Sequence, residues 1–167
     1  AGELMAHAYS HVHKLPCTGL RFFSVYGPWG RPDMTPYLFT QKILAGEPID
    51  VFGDGLMERD FTYVDDIIQG LLRVIARPAS PNPRWDSSRP DPGSSAAPWR
   101  IYNMGNQRPV KLLDFISLLE KILGKKAKKV FRPAPSVEVA ATWADVSELQ
   151  ADFGYHPTTD LEAGLRI

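Results

Sequence analysis

The sequence predicts an α/β protein, because segments with helical periodicity alternate with short extended segments along most of the chain. The 167 residues match the usual size of one domain, and 44% of them are hydrophobic, enough for a compact core. Basic and acidic residues each number 19, so the formal net charge is zero. Nucleic-acid-binding domains carry a basic excess, so we expect no nucleic-acid partner.

Cysteine content and hydropathy set further expectations. Cys17 is the only cysteine, which excludes an internal disulfide and makes a reducing compartment, the cytoplasm, the simpler expectation. No apolar run approaches the roughly 20 residues of a membrane helix, so no membrane segment is predicted. The first residues, 1–5, resemble the interior of a helix, and 161–167 stop inside an amphipathic pattern. We expect both ends to be cuts in a longer protein.

The N-terminal segment is predicted to form a helix followed by a strand. Apolar residues recur at helical spacing from Leu4 to Val12, which predicts a helix over 2–14. Residues 18–25 are rich in β-forming side chains, and the glycines and prolines of 26–32 predict a loop.

Alternation continues through the next segment. Pro36 suits the first turn of a helix, which is predicted to end at Gly46. Strands are predicted at 49–52 and 61–64, with a Gly-Asp-Gly turn at 53–55 between them.

A further helix is predicted after residue 64. Asp65 is expected to be its N-cap and Asp66 to lie in its first turn, where the helix dipole favours negative charge. Adjacent side chains diverge in direction, so this interpretation is preferred to a catalytic carboxylate pair. The predicted buried stripe consists of Val64, Ile68, Leu71 and Ile75.

The composition changes at 78–98, which are rich in proline and serine and have Trp85 as their one large apolar residue. This stretch is predicted to be a loop or disordered insert within one domain. Beyond it, a strand is predicted at 100–104 and helices at 112–123 and 145–153.

Two clusters of polar residues receive a structural interpretation. The lysines after residue 124 are expected to be a solvated helix end and not a phosphate site; they are Lys125, Lys126, Lys128 and Lys129. The four residues His7, His11, His13 and Cys17 superficially suit a metal. They lack a His-Glu-x-x-His pattern, so no metal site is predicted.

Two segments are candidates for function. Residues 20–34 form a strand that ends in a glycine- and proline-rich loop displaying Arg31 and Asp33, and α/β folds place ligands at such strand ends. Residues 59–66 begin with Arg59, whose planar guanidinium suits a phosphate. From the residues alone, solvated charges in the loop and a salt bridge from Arg59 to Asp60 or Asp54 remain equally open.

These two segments together resemble the extended short-chain dehydrogenase/reductase family. The run Tyr-Gly-Pro-Trp-Gly-Arg-Pro-Asp-Met at 26–34 is specifically similar to UDP-glucuronate 4-epimerases. Segments 45–52, 59–66 and 102–106 support the resemblance, which extends over essentially the whole chain.

The resemblance implies a division of the chain and a cofactor. Residues 1–30 would form the last part of a Rossmann-type doubly wound sheet, and 31–167 mainly the smaller C-terminal substrate-binding α/β lobe, with the insert 78–98. In this family a glycine-rich loop binds NAD and a Tyr-x-x-x-Lys pair is catalytic. Neither motif occurs in this sequence. We therefore expect no catalytic residue here, a missing N-terminal half that binds most of the NAD, and a homodimer of the intact enzyme.

The resemblance also implies which residues face the ligands. Phe22 and Phe23 match the strand-end pair beside the nicotinamide, and Ser24 with Arg31 matches the positions that face the sugar carboxylate. Arg59 matches the arginine that clamps the diphosphate. The implied substrate-binding residues are Ser24, Arg31, Asp33, Met34, Ile49, Asp50, Val51, Phe52 and Arg59.

One departure and several alternatives accompany this reading. The family often has an Arg or Gln in a Gly-Asp-containing loop near 134–138, where this chain has Ala-Pro-Ser-Val-Glu. Glu138 is a candidate to replace the Asp. The expected activity is interconversion of UDP-glucuronate and UDP-galacturonate. A UDP-glucuronate decarboxylase, a UDP-glucose 4-epimerase and a non-catalytic UDP-sugar-binding lobe are the alternatives.

Overall fold

A computed structural model describes residues 1–135 and 139–167 and confirms the α/β class. The helices are α1 Gly2–His13, α2 Thr35–Ala45, α3 Val64–Ile75, α4 Leu112–Leu123, α5 Ser147–Phe153 and α6 Leu161–Leu165. The strands are β1 Cys17–Phe22, β2 Ser24–Tyr26, β3 Pro48–Phe52, β4 Glu58–Tyr63, β5 Trp99–Met104, β6 Pro109–Lys111, β7 Lys128–Arg132 and β8 Ala141–Thr142. Within the described part of the chain, no helix has the length and apolar character needed to cross a membrane.

The strands pair in three groups. β1 and β5 are parallel, with Cys17 opposite Trp99 and Phe22 opposite Met104. β4 is the centre of a second sheet, since it pairs with β2 and β8 in parallel and with β6 in antiparallel. β3 and β7 form a separate parallel pair.

The chain passes from the first sheet to the second at Phe23, a break that divides the strand predicted at 18–25. The Phe23 N–H donates to Met104 O across β5, and the Val25 N–H donates to Phe23 O. Ser24 then begins β2 opposite Phe61 of β4. The carboxyl end of β1 therefore leads directly into the second sheet.

Two of the core clusters that support these sheets lie beside the strands β3, β4 and β5. The larger contains Phe61, which stacks on Phe115 of α4 at a centroid distance of 4.6 Å, together with Ile49 and Val51 of β3. The other contains Met104, Ala144 and Tyr155. On α1 the large apolar side chains are exposed; they are Leu4, Met5, Tyr9 and Val12.

The predictions for α3 need correction. Its N-cap is Tyr63 and not Asp65, and the buried positions are Asp66, Ile67, Gly70 and Val74. Ile68 and Ile75 of the predicted stripe are instead 45% and 64% exposed. Both faces of this helix have apolar residues, so periodicity alone cannot select the face that is buried.

The insert is an irregular, hydrogen-bonded loop. Ser94 forms an isolated antiparallel bridge with Arg100, and the Ile101 N–H donates to Gly93 O at 2.8 Å. Within the loop, the Asn82 N–H donates to Ser95 O at 2.8 Å. The insert therefore pairs with the outer edge of β5.

Candidate functional site

A small cleft lies where β1 passes into β2, and it brings together some of the residues that the sequence singled out. Its volume is about 190 Å³. Ser24, Met34 and Arg59, three of the residues that the resemblance implies to be substrate-binding, line it. The remaining lining residues are Thr35, Pro36, Met57, Phe61, Val110 and Leu112.

Arg59 is placed by pairing on both edges of β4. It lies opposite Val110 of β6 and opposite Thr142 of β8, so its backbone is held on two sides. The side chain is half-buried, and its Nη1 donates to Glu58 O at 2.8 Å. Since alternate strand residues face opposite sides, Arg59 shares the face of Phe61 while Asp60 points away.

Asp60 has a role that the sequence did not indicate. Its carboxylate, fully buried, accepts the backbone N–H groups of Asn106 and Gln107 after β5 and of Ala144 after β8, at 3.0–3.1 Å. The sequence alone leaves open a salt bridge from Arg59 to Asp60. These backbone donors instead occupy its oxygens.

Arg31 and Asp33 form an ion pair in the loop between β2 and α2. Arg31 Nε and Nη2 donate to the two carboxylate oxygens of Asp33 at 3.0 and 2.5 Å. The hydrogen bond from Arg31 lowers the pKa of Asp33 below its usual value. The side chains are 74% and 63% exposed, so this pair contributes little to stability.

A second cleft, of about 310 Å³, lies on the other side of this loop and is lined by Arg31. Met34 and Pro36 line both clefts, so the loop separates them. Ser24 and Arg31 thus border different clefts in this structure. Their joint contact with one sugar carboxylate stays a prediction.

The strand β3, which the resemblance implies to be substrate-binding at Ile49 to Phe52, is only partly accessible. Ile49 and Val51 are fully buried in the core, so their side chains face away from any ligand. Asp50 accepts a hydrogen bond from Arg132 Nε at 3.0 Å across the β3–β7 pair, and Phe52 is half-buried. Any contact from Ile49 or Val51 must use the backbone.

The predicted nicotinamide neighbours differ in accessibility. Phe22, at the carboxyl end of β1, is 50% exposed. Phe23 is partly buried and packs against the core cluster of Met104 and Tyr155. Phe22 is therefore the ring that this chain offers at the strand end.

The acidic pair Asp65–Asp66 has a structural role. Asp66 is buried and accepts the N–H groups of Thr158 and Thr159 at 3.2 and 3.0 Å, which attaches α3 to the segment before α6. Asp65 is exposed.

The polar clusters near the N-terminus and after α4 also have internal partners. His7 Nε2 hydrogen-bonds Ser95 Oγ at 2.8 Å, and the described residues contain no group of His, Cys, Asp or Glu suited to a metal. Lys126 and Lys129 pair with the buried Glu120. Glu138, the candidate to replace the family's Asp, lies outside the described residues.

Fold and site together define a class: an α/β protein whose parallel strand β1 ends at a cleft with an arginine suited to a phosphate. A family model described as "NAD dependent epimerase/dehydratase family" matches residues 1–86. The chain belongs to this family. The resemblance to UDP-glucuronate 4-epimerases is confirmed by the relatives below.

Curated relatives cover nearly all of this chain. It is 49% identical over 165 residues to "Protein CapI" of Staphylococcus aureus, which covers 99% of this chain and 49% of the relative. It is 43% identical over 175 residues to UDP-glucuronate 4-epimerase 2 of Arabidopsis thaliana, covering 99% and 38%. The chain therefore spans half or less of the length of these relatives.

Two solved structures of UDP-sugar 4-epimerases also match nearly all of this chain. UDP-glucuronic acid 4-epimerase from Bacillus cereus, in complex with UDP-glucuronic acid and NAD, matches with a TM-score of 0.81 and 35% identity over 98% of this chain and 47% of that chain. UDP-glucose 4-epimerase from Thermotoga maritima with UDP-glucose matches with a TM-score of 0.79 and 27% identity, covering 98% and 48%.

Proposed function

We propose that this chain is the UDP-sugar-binding half of an NAD-dependent 4-epimerase that interconverts UDP-glucuronate and UDP-galacturonate. The observation that carries the proposal is the cleft where β1 passes into β2, which is lined by Ser24, Met34 and Arg59. The 43% identity to a UDP-glucuronate 4-epimerase supports the choice of sugar.

In this proposal Arg59 binds the diphosphate. Its backbone is fixed by β6 and β8, so the side chain approaches the ligand from a rigid strand. A guanidinium makes charge-assisted hydrogen bonds to phosphate oxygens, which are about twice as strong as neutral ones. Met34 and the ring of Phe61 supply apolar surface beside it.

Arg31 and Ser24 bind the uronate carboxylate. Asp33 already occupies the guanidinium of Arg31 with the two-point geometry that a carboxylate requires. A substrate carboxylate of the same geometry replaces Asp33, and Ser24 adds one hydrogen bond from the other cleft. Because both clefts share the loop around Met34, this step requires the loop to shift.

The uracil lies against β3, with Asp50 and Phe52 supplying side chains and Ile49 and Val51 only backbone. NAD, when bound, would supply reversible hydride transfer at C4 of the sugar. This chain offers the half-exposed ring of Phe22 to the nicotinamide, while the NAD loop and the Tyr-x-x-x-Lys pair belong to a preceding half.

Holding the carboxylate has a second consequence in this proposal. The 4-keto form of a uronate is a β-keto acid, which loses carbon dioxide when its carboxylate turns out of the plane of the developing enolate. Hydrogen bonds from Ser24 and Arg31 keep the group in an orientation that resists this loss. The pair thereby distinguishes an epimerase from a decarboxylase.

The test uses the intact protein that contains this chain. UDP-glucuronate, UDP-galacturonate and UDP-glucose are supplied separately with NAD, and the products are resolved by anion-exchange chromatography. We expect the two uronates to interconvert, while UDP-glucose turns over at least about tenfold more slowly. A UDP-pentose as main product identifies a decarboxylase. Faster turnover of UDP-glucose favours the neutral-sugar epimerase, for which the Thermotoga maritima structure is the supporting observation. UDP binding without any turnover identifies a binding lobe.

A further inference from the structure

We infer that Asp60 is a positioning residue, which fixes the substrate-binding sheet against the sheet of β1 and β5. This inference rests on the proposed function for its catalytic consequence. The structural part rests on contacts alone. Asp60 belongs to β4, the strand of Arg59, while two of its three N–H donors follow β5 in the other sheet.

Three backbone N–H groups donate to the carboxylate of Asp60. Both of its oxygens accept the Asn106 N–H at 3.1 Å, and one of them also accepts Gln107 N and Ala144 N at 3.0 Å. A Cβ on Gly105 would lie 2.6 Å from this oxygen and 2.5 Å from Ala144 Cβ. A side chain at position 105 would therefore push the end of β5 away from β4.

Further bonds hold the same segment. Asn106 Nδ2 donates to Phe61 O at 3.2 Å, and the hydroxyl of Tyr155 donates to Gly105 O at 3.1 Å. Without the Asp60 carboxylate, the N–H of the buried Ala144 loses its acceptor, at a cost of about 1–3 kcal/mol when nothing replaces it, and the part-buried bonds to the N–H groups of Asn106 and Gln107 are lost as well. The segment after β5 then moves to find other partners.

That movement matters because the two sheets have different roles in the proposed enzyme. β1 ends at Phe22, offered to the cofactor, whereas β4 presents Arg59 to the diphosphate. The reacting carbon must lie close to the nicotinamide, and a displacement of about 1 Å can reduce turnover roughly 100-fold. Asp60 touches neither ligand in this arrangement and acts on turnover through the spacing of the sheets.

Asp66 provides a matched control. It is also a buried carboxylate that accepts backbone N–H groups, those of Thr158 and Thr159, and it lies on the same sequence motif. It connects α3 to the segment before α6 instead of connecting the two sheets. D60N and D66N make the same chemical change, since each replaces one acceptor oxygen by an amide that faces N–H donors.

The experiment compares D60N and D66N in the intact protein by kcat at saturating UDP-glucuronate, Kd for UDP and thermal midpoint. We expect both variants to lose a similar amount of stability and to keep Kd for UDP within about threefold. D60N alone should lose kcat, by roughly 10- to 100-fold. Equal kcat losses in both variants, or a D60N kcat within threefold of wild type, overturn the inference.

Two additions keep the test decisive. If D60N does not fold, Gly105→Ala displaces the same segment and should give the same separation of kcat from Kd; unchanged kcat then refutes the positioning role. If the wild-type protein epimerises no UDP-sugar, the proposed function fails. Hydrogen exchange then tests whether Asp60 holds the segment after β5 and Ala144 in place. D60N should accelerate exchange at the amides of Asn106, Gln107 and Ala144. Unchanged protection of these amides refutes the structural role of Asp60.

Discussion

Replacing Arg59 by methionine removes the guanidinium and keeps a side chain of similar length beside Met57 and Phe61. If Arg59 binds the diphosphate, R59M loses charge-assisted hydrogen bonds worth about 1.5–3 kcal/mol. That range corresponds to a rise of roughly 10- to 150-fold in Kd for UDP, because about 1.4 kcal/mol is a factor of ten. The lower half of the range is expected, since the side chain is half-buried and water replaces part of the interaction.

Isothermal titration of UDP into the intact protein measures this change. R89M is the matched control, because Arg89 is an exposed arginine of the insert and does not line the cleft. Its Kd should stay within twofold of wild type. R59M must also keep the wild-type circular dichroism spectrum, because Arg59 bonds Glu58 O and contributes to local structure. A folded R59M with a Kd within twofold of wild type would refute the assignment of the diphosphate to this cleft.

Three further predictions concern the ratio of products, the free energy of unfolding and the activity of residues 1–167 alone. R31A in the intact enzyme should raise the share of UDP-pentose among the products, because the carboxylate loses its main hydrogen bonds; an unchanged product ratio contradicts this. E120Q should lower the free energy of unfolding at pH 7 by about 1–2 kcal/mol, since Glu120 accepts bonds from Lys126, Lys129 and the Ala127 N–H. Lys126 and Lys129 lower the pKa of Glu120 from 4.5 to about 2, so the stabilisation is complete above pH 4.5 and lost as the pH falls through 2. A denaturation series that shows the same E120Q deficit at pH 2 and pH 7 contradicts it. Residues 1–167 alone, supplied with NAD and UDP-glucuronate, should form no UDP-galacturonate, and detectable product overturns that expectation.

Much of the fold follows from local sequence signals. α4 begins and ends where the stripe from Leu112 to Leu123 and the stop at Gly124 predict, and Gly124 adopts the left-handed conformation that favours glycine. α2 likewise ends at Gly46. These signals are reliable because glycine and proline act on the backbone directly and need no tertiary contact.

The elements missed by the sequence are those that depend on distant partners. β8 has only two residues, Ala141–Thr142, and exists because it pairs with Glu58 and Arg59. β7 begins within a lysine-rich segment, Lys128–Arg132, that suggests a solvated helix end until β3 is placed beside it. The β-propensity of one segment contains little information about which distant segment it pairs with.

The site shows the same division. A guanidinium placed before an extended run makes Arg59 a candidate, and the glycines and prolines around Arg31 predict its loop; the binding roles of both residues stay predictions. The separation of Ser24 and Arg31 into two clefts depends on how the loop folds over Met34, which no local pattern specifies. The role of Asp60 was equally hidden, because its donors lie 46 to 84 positions along the chain.

The motif from Arg59 to Asp66 gains its meaning from strand alternation. Arg59 and Phe61 face the cleft and the larger core, whereas Asp60 faces the end of β5 and Ala144. One strand therefore presents the arginine proposed to bind the diphosphate on one face, and on the other the carboxylate proposed to fix the two sheets. Because Arg59 and other residues of its cleft belong to the sheet of β4, a movement of that sheet relative to β5 carries Arg59 and these residues together. In the proposed enzyme, binding by Arg59 and positioning by Asp60 thus depend on the same strand, and a substitution at either residue has to be tested for both.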